Sequence, residues 1–312
     1  MKKSDSKVDL SIVIVSYNTK DLTKVCLDSV IKHTKGLDYE ILAADNASSD
    51  GSAEMLEEYA SKDERVIYIQ TGENLGFGIA NNVGIAKAKG RYILLLNSDT
   101  EIGDNLFPKM ISWMENYPKA GVASCKLLNK DGTIQGTGGS FPTLSKVFAW
   151  MFFIEDIPFI EKLFVPYHPM HPLSFYKGGS LFAKRRQLDW LTGAFLLIKK
   201  QVLDEAGIFD KEFFMYVEEV ELCYRIKKAG WQIWYLPDWS IVHYGGASAG
   251  GEFSLLSEYK GIRIFYKKHL DKIQNILLGV LLKCGAFLRI IIFTLMGKIK
   301  LAKVYVKAFT SA

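Results

Sequence analysis

Four short runs of aliphatic and β-branched residues occupy the first hundred positions: Ser11-Ile-Val-Ile-Val15, Tyr39-Glu-Ile-Leu-Ala43, Arg65-Val-Ile-Tyr-Ile69 and Arg91-Tyr-Ile-Leu-Leu-Leu96. Each is continuous rather than alternating, the pattern of a strand covered on both faces. The stretches between them, about 20–34, 51–62 and 76–89, have helix length and helix-friendly composition. The order βαβαβαβ then requires a mostly parallel sheet with flanking helices, a Rossmann-like α/β class. Ligands of such sheets sit beyond the carboxyl ends of the strands. Polar residues follow every one of those ends: Tyr17 and Asn18, Asp45 and Asn46, Gly72-Glu73-Asn74, and Asn97-Ser98-Asp99. Folding alone does not ask for four polar termini on one edge.

A second informative stretch runs from Phe213 to Arg225, where acids stand at one end of an apolar-aromatic run. Glu218 and Glu219 repel each other, and an apolar shoulder of Phe213, Phe214 and Tyr216 would raise at least one pKa toward the range of a proton acceptor. The same acids also suit a helix N-terminus, because Leu222, Ile226 and Ala229 recur behind them at helical spacing.

Composition narrows the class. A chain of 312 residues with 49% hydrophobic content can bury one large core or two small ones. Cys26, Cys125, Cys223 and Cys284 are scattered without paired spacing, so neither a zinc site nor a disulfide framework is indicated, and a reducing cytoplasmic compartment is expected. The basic N-terminus precedes an apolar run too short for a signal peptide, and Leu10–Val15 is expected to be the first strand. From Lys260 onward eleven Lys or Arg face one acid, a surplus of +10 that leaves −5 for everything before it. Such asymmetry calls for an anionic partner. Because the same segment is strongly apolar, an anionic membrane surface fits it and nucleic acid does not.

Residues of about 141–190 hold five of the eight prolines and many aromatics, including Phe148, Trp150, Phe159 and Phe164, and are expected to form a partly helical insertion. This is either a lid on the core or a surface for lipid. His168 and His171 lie there in a Pro-interrupted HxxH that is unsuited to metal. For the tail at 270–306, about fourteen large aliphatic or Phe residues favour insertion by about 4–8 kcal/mol, while Lys283 and Arg289 oppose it by about 5–7 kcal/mol. The balance, with Gly279, Gly285 and Gly297 interrupting, favours a helix pair lying in the interface with its cations reaching headgroups.

Carboxylates past strand ends, Asp45 and Asp99 above all, suit a divalent cation that bridges a diphosphate. His243, in Ile241-Val-His-Tyr-Gly-Gly246, either completes that shell or is a structural hydrogen-bonder. Taken together, SIVIVSYN, DNASSDGS, NLGFGIANNVGI, LLLNSDTEI, LTGAFLLIKK, GIFDKEFFMYVEEVELCYR and VHYGGAS resemble, in order over about residues 10–248, the inverting family 2 glycosyltransferases of the GT-A fold. Within that family they resemble the rhamnosyltransferase-like branch of bacterial surface-polysaccharide synthesis.

The resemblance implies a GT-A domain over residues 1–250, and the charge and apolar pattern make 251–312 a basic, apolar helical tail. It implies that Asp45 contacts the nucleotide base, that Asp99 binds Mg²⁺ or Mn²⁺, that His243 assists at the metal or diphosphate, and that Glu219 is the catalytic base, with Glu218 as a possible substitute. Tyr17, Asn18, Asn74, Gly76, Asn81, Asn97 and Gly193 are the further donor-site candidates; Gly193 has tight packing as its alternative explanation. Two departures stand out. The DxD-equivalent begins with Asn97, and the base position holds Glu where the wider family usually has Asp. The implied partners are a nucleotide-sugar donor, with dTDP-rhamnose favoured over glucose, galactose or N-acetylhexosamine donors, and a glycan or polyprenyl-diphosphate-linked saccharide acceptor at the inner face of the plasma membrane. A non-catalytic nucleotide-sugar binder is the rival. A pyrophosphorylase is disfavoured because Ser16-Tyr17-Asn18-Thr19 lacks the required Gly-rich basic loop.

Overall fold

The computed structural model describes residues 8–158, 163–169, 180–245 and 251–312. His171, Phe159 and the end of the VHYGGAS motif lie outside the described residues. The four apolar runs form β1 (Leu10–Ser16), β2 (Tyr39–Asp45), β3 (Val66–Gln70) and β4 (Tyr92–Asn97). Between them lie α1 (Lys20–His33), α2 (Ser52–Lys62) and α3 (Gly76–Ile85). The last helix ends before residue 89 because the amides of Lys87 and Ala88 turn back to the carbonyls of Gly84 and Ile85, a tighter closure than α.

The chain continues through β5 (Thr100–Glu101), α4 (Phe107–Asn116), β6 (Ala120–Leu128), β7 (Gly138–Gly139), α5 (Leu144–Met151), β8 (Arg186–Gln187), β9 (Trp190–Leu191) and β10 (Phe195–Lys199). Then come α6 (Lys200–Ala206), α7 (Glu218–Lys228), β11 (Gln232–His243), α8 (Glu252–His269), α9 (Lys272–Leu295) and α10 (Ile299–Ser311). The main sheet has the order β3-β2-β1-β4-β10-β6-β11-β5, with β8 added against β11. β1 to β4 pair in parallel, as do β6 and β11, whereas β10 runs antiparallel between β4 and β6. The sheet is therefore mixed but mostly parallel, with helices on both faces.

Because side chains alternate along a strand, each inner strand feeds two cores. Ile12, Ile14, Ile41, Leu94 and Leu96 pack with Leu27, Met55 and Phe107 of α1, α2 and α4. Val13, Leu42, Ile93 and Leu95 belong to the opposite core, which also contains Val147, Leu222, Ile262, Leu282 and Tyr305 of α5 and α7 to α10.

The described part of the insertion packs inward through Val147, Trp150 and Met151, while Phe148 stays 45% exposed. The tail differs from expectation in two ways. Arg289 does not reach outward: it is buried, and its guanidinium donates to the carbonyls of Met151 and Trp150 and to Tyr305 Oη. A cation at the carbonyl end of α5 meets both the unsatisfied acceptors and the negative end of the helix dipole. Nor do Gly279 and Gly285 break α9, which runs 24 residues. A Cβ at Gly285 would lie 2.5 Å from Met151 Cε, so this glycine permits close helix packing; the break comes at Gly297, at φ +71°.

Candidate active site

A cavity of about 520 Å³ opens beyond the carboxyl ends of β1 and β4. Tyr17, Asn74, Gly76, Asn97, Asp99, Gly193, Glu218, Glu219 and His243, all expected at the site, line it. Asn18, Asp45 and Asn81 do not. Asn18 is exposed and accepts from the Ser49 amide, tying the loop after β1 to the loop after β2. Asn81 is buried in α3, where its amide donates to Phe77 O at 2.9 Å. Asp45 is fully buried behind the cavity; Oδ2 accepts from Ser48 N and Gln70 Nε2, each at 3.0 Å, while Oδ1 has no partner among the described residues.

β5 brings the far wall together. His243 pairs with Thr100 in the antiparallel register of β11 and β5, which sets His243 Nε2 3.2 Å from Asp99 Oδ1. The ring orientation follows from a neighbour that sequence patterns did not flag. Gln135 Nε2 donates to His243 O and Asn129 Oδ1, both at 2.7 Å, which turns Gln135 Oε1 toward His243 Nδ1 at 2.8 Å. That oxygen can only accept, so Nδ1 carries a proton, and in the neutral ring the Nε2 lone pair faces the Asp99 carboxylate. An imidazole lone pair and a carboxylate oxygen side by side are a pair of ligands suited to a divalent cation, whereas Asn97 Nδ2, 3.4 Å from the same nitrogen, is a hydrogen-bond donor to it and not a ligand. No group of three or more His, Cys, Asp or Glu able to hold a metal occurs among the described residues. The described residues thus offer such a cation one carboxylate and one imidazole.

The opposite wall is the first turn of α7. Tyr216 and Val217 adopt left-handed φ values of 67° and 71°, a strained conformation for any side chain and most of all for a β-branched one. This turn throws Glu218 and Glu219 against the cavity. Three acids begin α7, and their partners separate them. Glu221 is 1% exposed and held by Arg225 Nε at 2.8 Å and His269 Nε2 at 3.0 Å. Glu218 is 3% exposed and Glu219 half-buried, and the Oε2 of each is buried without a partner among the described residues. Burial pushes the Glu219 carboxyl up to about 7, against smaller opposing effects of the Glu219 amide and His168. Burial, and then the Glu219 charge, push Glu218 well above the carboxylate range. Among the aromatic shoulder residues, Phe213 turns into the core, whereas Phe214 and Tyr216 line the cavity.

Glycines let these walls meet. At Gly76, with φ +75°, a Cβ would fall 2.1 Å from Phe214 O, the carbonyl that accepts from the Phe77 amide. At Gly193 a Cβ would strike the Phe77 ring at 2.6 Å, so tight packing accounts for that glycine even though it also borders the cavity. Asn46 pins the same loop: Nδ2 donates to Asn74 Oδ1 and Oδ1 accepts from Leu75 N, both at 3.0 Å.

Helix α8 packs behind the Phe214–Val217 turn. A Cβ at Gly261 would lie 2.7 Å from Val217 Cγ2, and Phe253 packs edge-on against Phe214 with 6.4 Å between centroids. Glu258 binds His168 of the insertion, His269 binds Glu221, and Lys268 binds Asp210.

The architecture is the GT-A fold, and Asp99 and His243 face Glu218 and Glu219 across one cavity. The chain belongs to glycosyl transferase family 2, whose model matches residues 11–180, just over half its length. Among curated proteins it is similar to an N-acetylglucosaminyl-diphospho-decaprenol L-rhamnosyltransferase of Mycobacterium tuberculosis, 26% identical over 239 residues, covering 72% of this chain and 73% of the relative. It is also similar to the rhamnosyltransferase WbbL of Escherichia coli K12, 26% identical, covering 85% of this chain and 98% of the relative. Among solved structures, the mannosyltransferase PcManGT from Pyrobaculum calidifontis, in complex with GDP-Man and Mn²⁺, matches with a TM-score of 0.57 at 13% identity, covering 98% of this chain and 89% of that one. This glycosyltransferase thus has rhamnosyltransferases among its relatives.

Proposed function

We propose that the chain transfers L-rhamnose from dTDP-rhamnose, with inversion, to a hydroxyl of a polyprenyl-diphosphate-linked saccharide during synthesis of a bacterial surface polysaccharide. The observation that carries this is the placing of Glu218 and Glu219, each with a buried Oε2 that has no hydrogen-bond partner among the described residues, opposite Asp99 and His243 in one cavity. Rhamnose and the lipid-linked acceptor are supported by the names of the two rhamnosyltransferase relatives.

In this reading Tyr17, Asn74, Gly76 and Asn97 border the donor, and Asp45, fully buried behind the cavity here, meets the base with its unpartnered Oδ1 once the residues covering it move aside. Asp99 and His243 hold Mg²⁺ or Mn²⁺, which when bound offsets the charge that grows on the departing diphosphate. Glu219 takes the proton from the acceptor hydroxyl as that oxygen attacks the anomeric carbon from the face opposite the diphosphate. A single displacement inverts the centre, and no sugar-enzyme intermediate forms. Burial, and then the Glu219 charge, push the Glu218 carboxyl upward, which disfavours a second carboxylate beside the base. The location proposed is the cytoplasmic face of the plasma membrane. It is supported by the apolar residues that α9 exposes, among them Ile273 at 70%, Ile276 at 59% and Phe287 at 58%.

The test is binding and turnover of dTDP-rhamnose, UDP-glucose, UDP-galactose, UDP-N-acetylglucosamine and GDP-mannose, each with and without Mg²⁺ or Mn²⁺. Metal-dependent binding of dTDP-rhamnose above the others is expected. Preference for another sugar would replace the donor, and no binding of any would bring forward the non-catalytic reading.

A further inference from the structure

Helices α8, α9 and α10 enclose a second depression, a groove of about 1140 Å³. Its charged side chains are Lys260, Arg263 and Lys267 from α8, Lys272 and Lys283 from α9, and Lys307 from α10, with no Asp or Glu side chain among the lining residues. Lys307 binds Glu252; the other five make no ion pair among the described residues. Arg263 is half-buried and lies across α9 at Gly279, where a Cβ would meet Nη1 at 3.4 Å. Five cations without an ion pair, held on the two packed helices α8 and α9, repel one another and suit a multivalent anion.

The groove is aligned with the active site by helical spacing. Phe253 lines the catalytic cavity, and Leu256, Lys260, Arg263 and Lys267 line the groove. These positions follow one another at steps of three or four and so form a single stripe on α8. From Phe253 to Lys260 is two turns, about 10 Å along the axis at roughly 1.5 Å per residue. The other border is apolar. Ile276 and Val280 of α9 line the groove and remain 59% and 56% exposed, continuing into the exposed Leu277, Phe287, Ile291 and Leu295. A ligand that meets all of this has a sugar hydroxyl at one end, a phosphate-rich link next and an apolar chain beyond.

We propose that this groove binds the diphosphate of the polyprenyl-diphosphate-linked acceptor. The assignment rests on the acceptor reading given above and adds its anchoring point. Charge alone would also suit phospholipid headgroups, but those have no need of alignment with the catalytic mouth, whereas a tethered acceptor does.

The probe is farnesyl diphosphate, titrated into the full chain with dTDP at saturation so that the donor site is occupied. Combined Lys260→Gln, Arg263→Gln and Lys267→Gln substitutions should weaken its binding at least tenfold. The opposite wall, Lys272→Gln with Lys283→Gln, should act in the same direction if the first variant fails to fold. Equal binding by the altered and unaltered chains overturns the proposal, as does a loss confined to phosphatidylglycerol vesicles. A parallel assay separates the two claims. If the unaltered chain transfers rhamnose to N-acetylglucosaminyl-diphospho-decaprenol and the triple variant does so with unchanged KM, the groove assignment falls alone. If the unaltered chain uses only a soluble glycan, the acceptor reading falls and takes the groove with it.

Discussion

At the scale of single residues, chemistry is set by which groups lack partners. Glu221 and Glu219 are two positions apart on one helix, yet the first is locked by Arg225 and His269 while the second retains a bare oxygen. Replacing Glu219 by Gln should lower kcat by roughly 10²- to 10⁴-fold, with donor affinity retained. Because burial raises this carboxyl to about 7, its basic form grows as pH rises, so the rate should climb from the acid side, reach half its maximum near 7 and level off roughly one unit higher. A pH–rate profile without that acid limb would remove Glu219 from the role. Gln135 acts through His243, so Gln135→Leu should weaken Mn²⁺ binding roughly 10- to 100-fold, read by calorimetry in the presence of dTDP. Much of this cavity was legible, because Asp99, Asn97 and Asn74 sit where strand ends must put them. Gln135 and Phe253 were not, since each arrives from a remote loop or helix start with no local pattern around it. Asn81 had the right residue type in the right loop, but α3 turns it toward its own Phe77 carbonyl.

At the scale of elements, the loops matter as much as the strands. The turn at Asn74–Phe77, the turn at Phe214–Val217 and Gly193 interlock so closely that no Cβ fits at two of the meeting points. Gly76→Ala should therefore destabilise the protein by more than about 1 kcal/mol, since it meets both a positive φ and a carbonyl. Thermal unfolding would measure it, and an unchanged midpoint would mean that the two loops part easily. The parallel strands were plain from their continuous apolar runs. The antiparallel insertion of β10 was not, because a buried strand between two others has the same composition in either direction. The strained φ of Val217 was equally hidden, as nothing in a Tyr-Val-Glu-Glu run requires it.

At the scale of the whole molecule, the tail is part of the folded body as well as a surface. Arg289 was legible as a cation in an apolar helix, but its destination was not: only the folded insertion supplies the Trp150 and Met151 carbonyls that receive it. The exposed face of α9 is a separate matter. Ile276→Ser, Val280→Ser and Phe287→Ser together should reduce sedimentation with phosphatidylglycerol vesicles several-fold without lowering the unfolding midpoint, because all three are more than half exposed. Undiminished sedimentation would assign membrane contact to another face. The contact between Gly261 and Val217 bears on modularity. Recombination that took the sheet from one relative and the last sixty residues from another would place a foreign side chain against the turn that aims the acid pair. Such hybrids should keep donor binding and lose transfer unless a glycine is retained at that contact, so the natural seam for exchanging parts of this enzyme does not lie between β11 and α8.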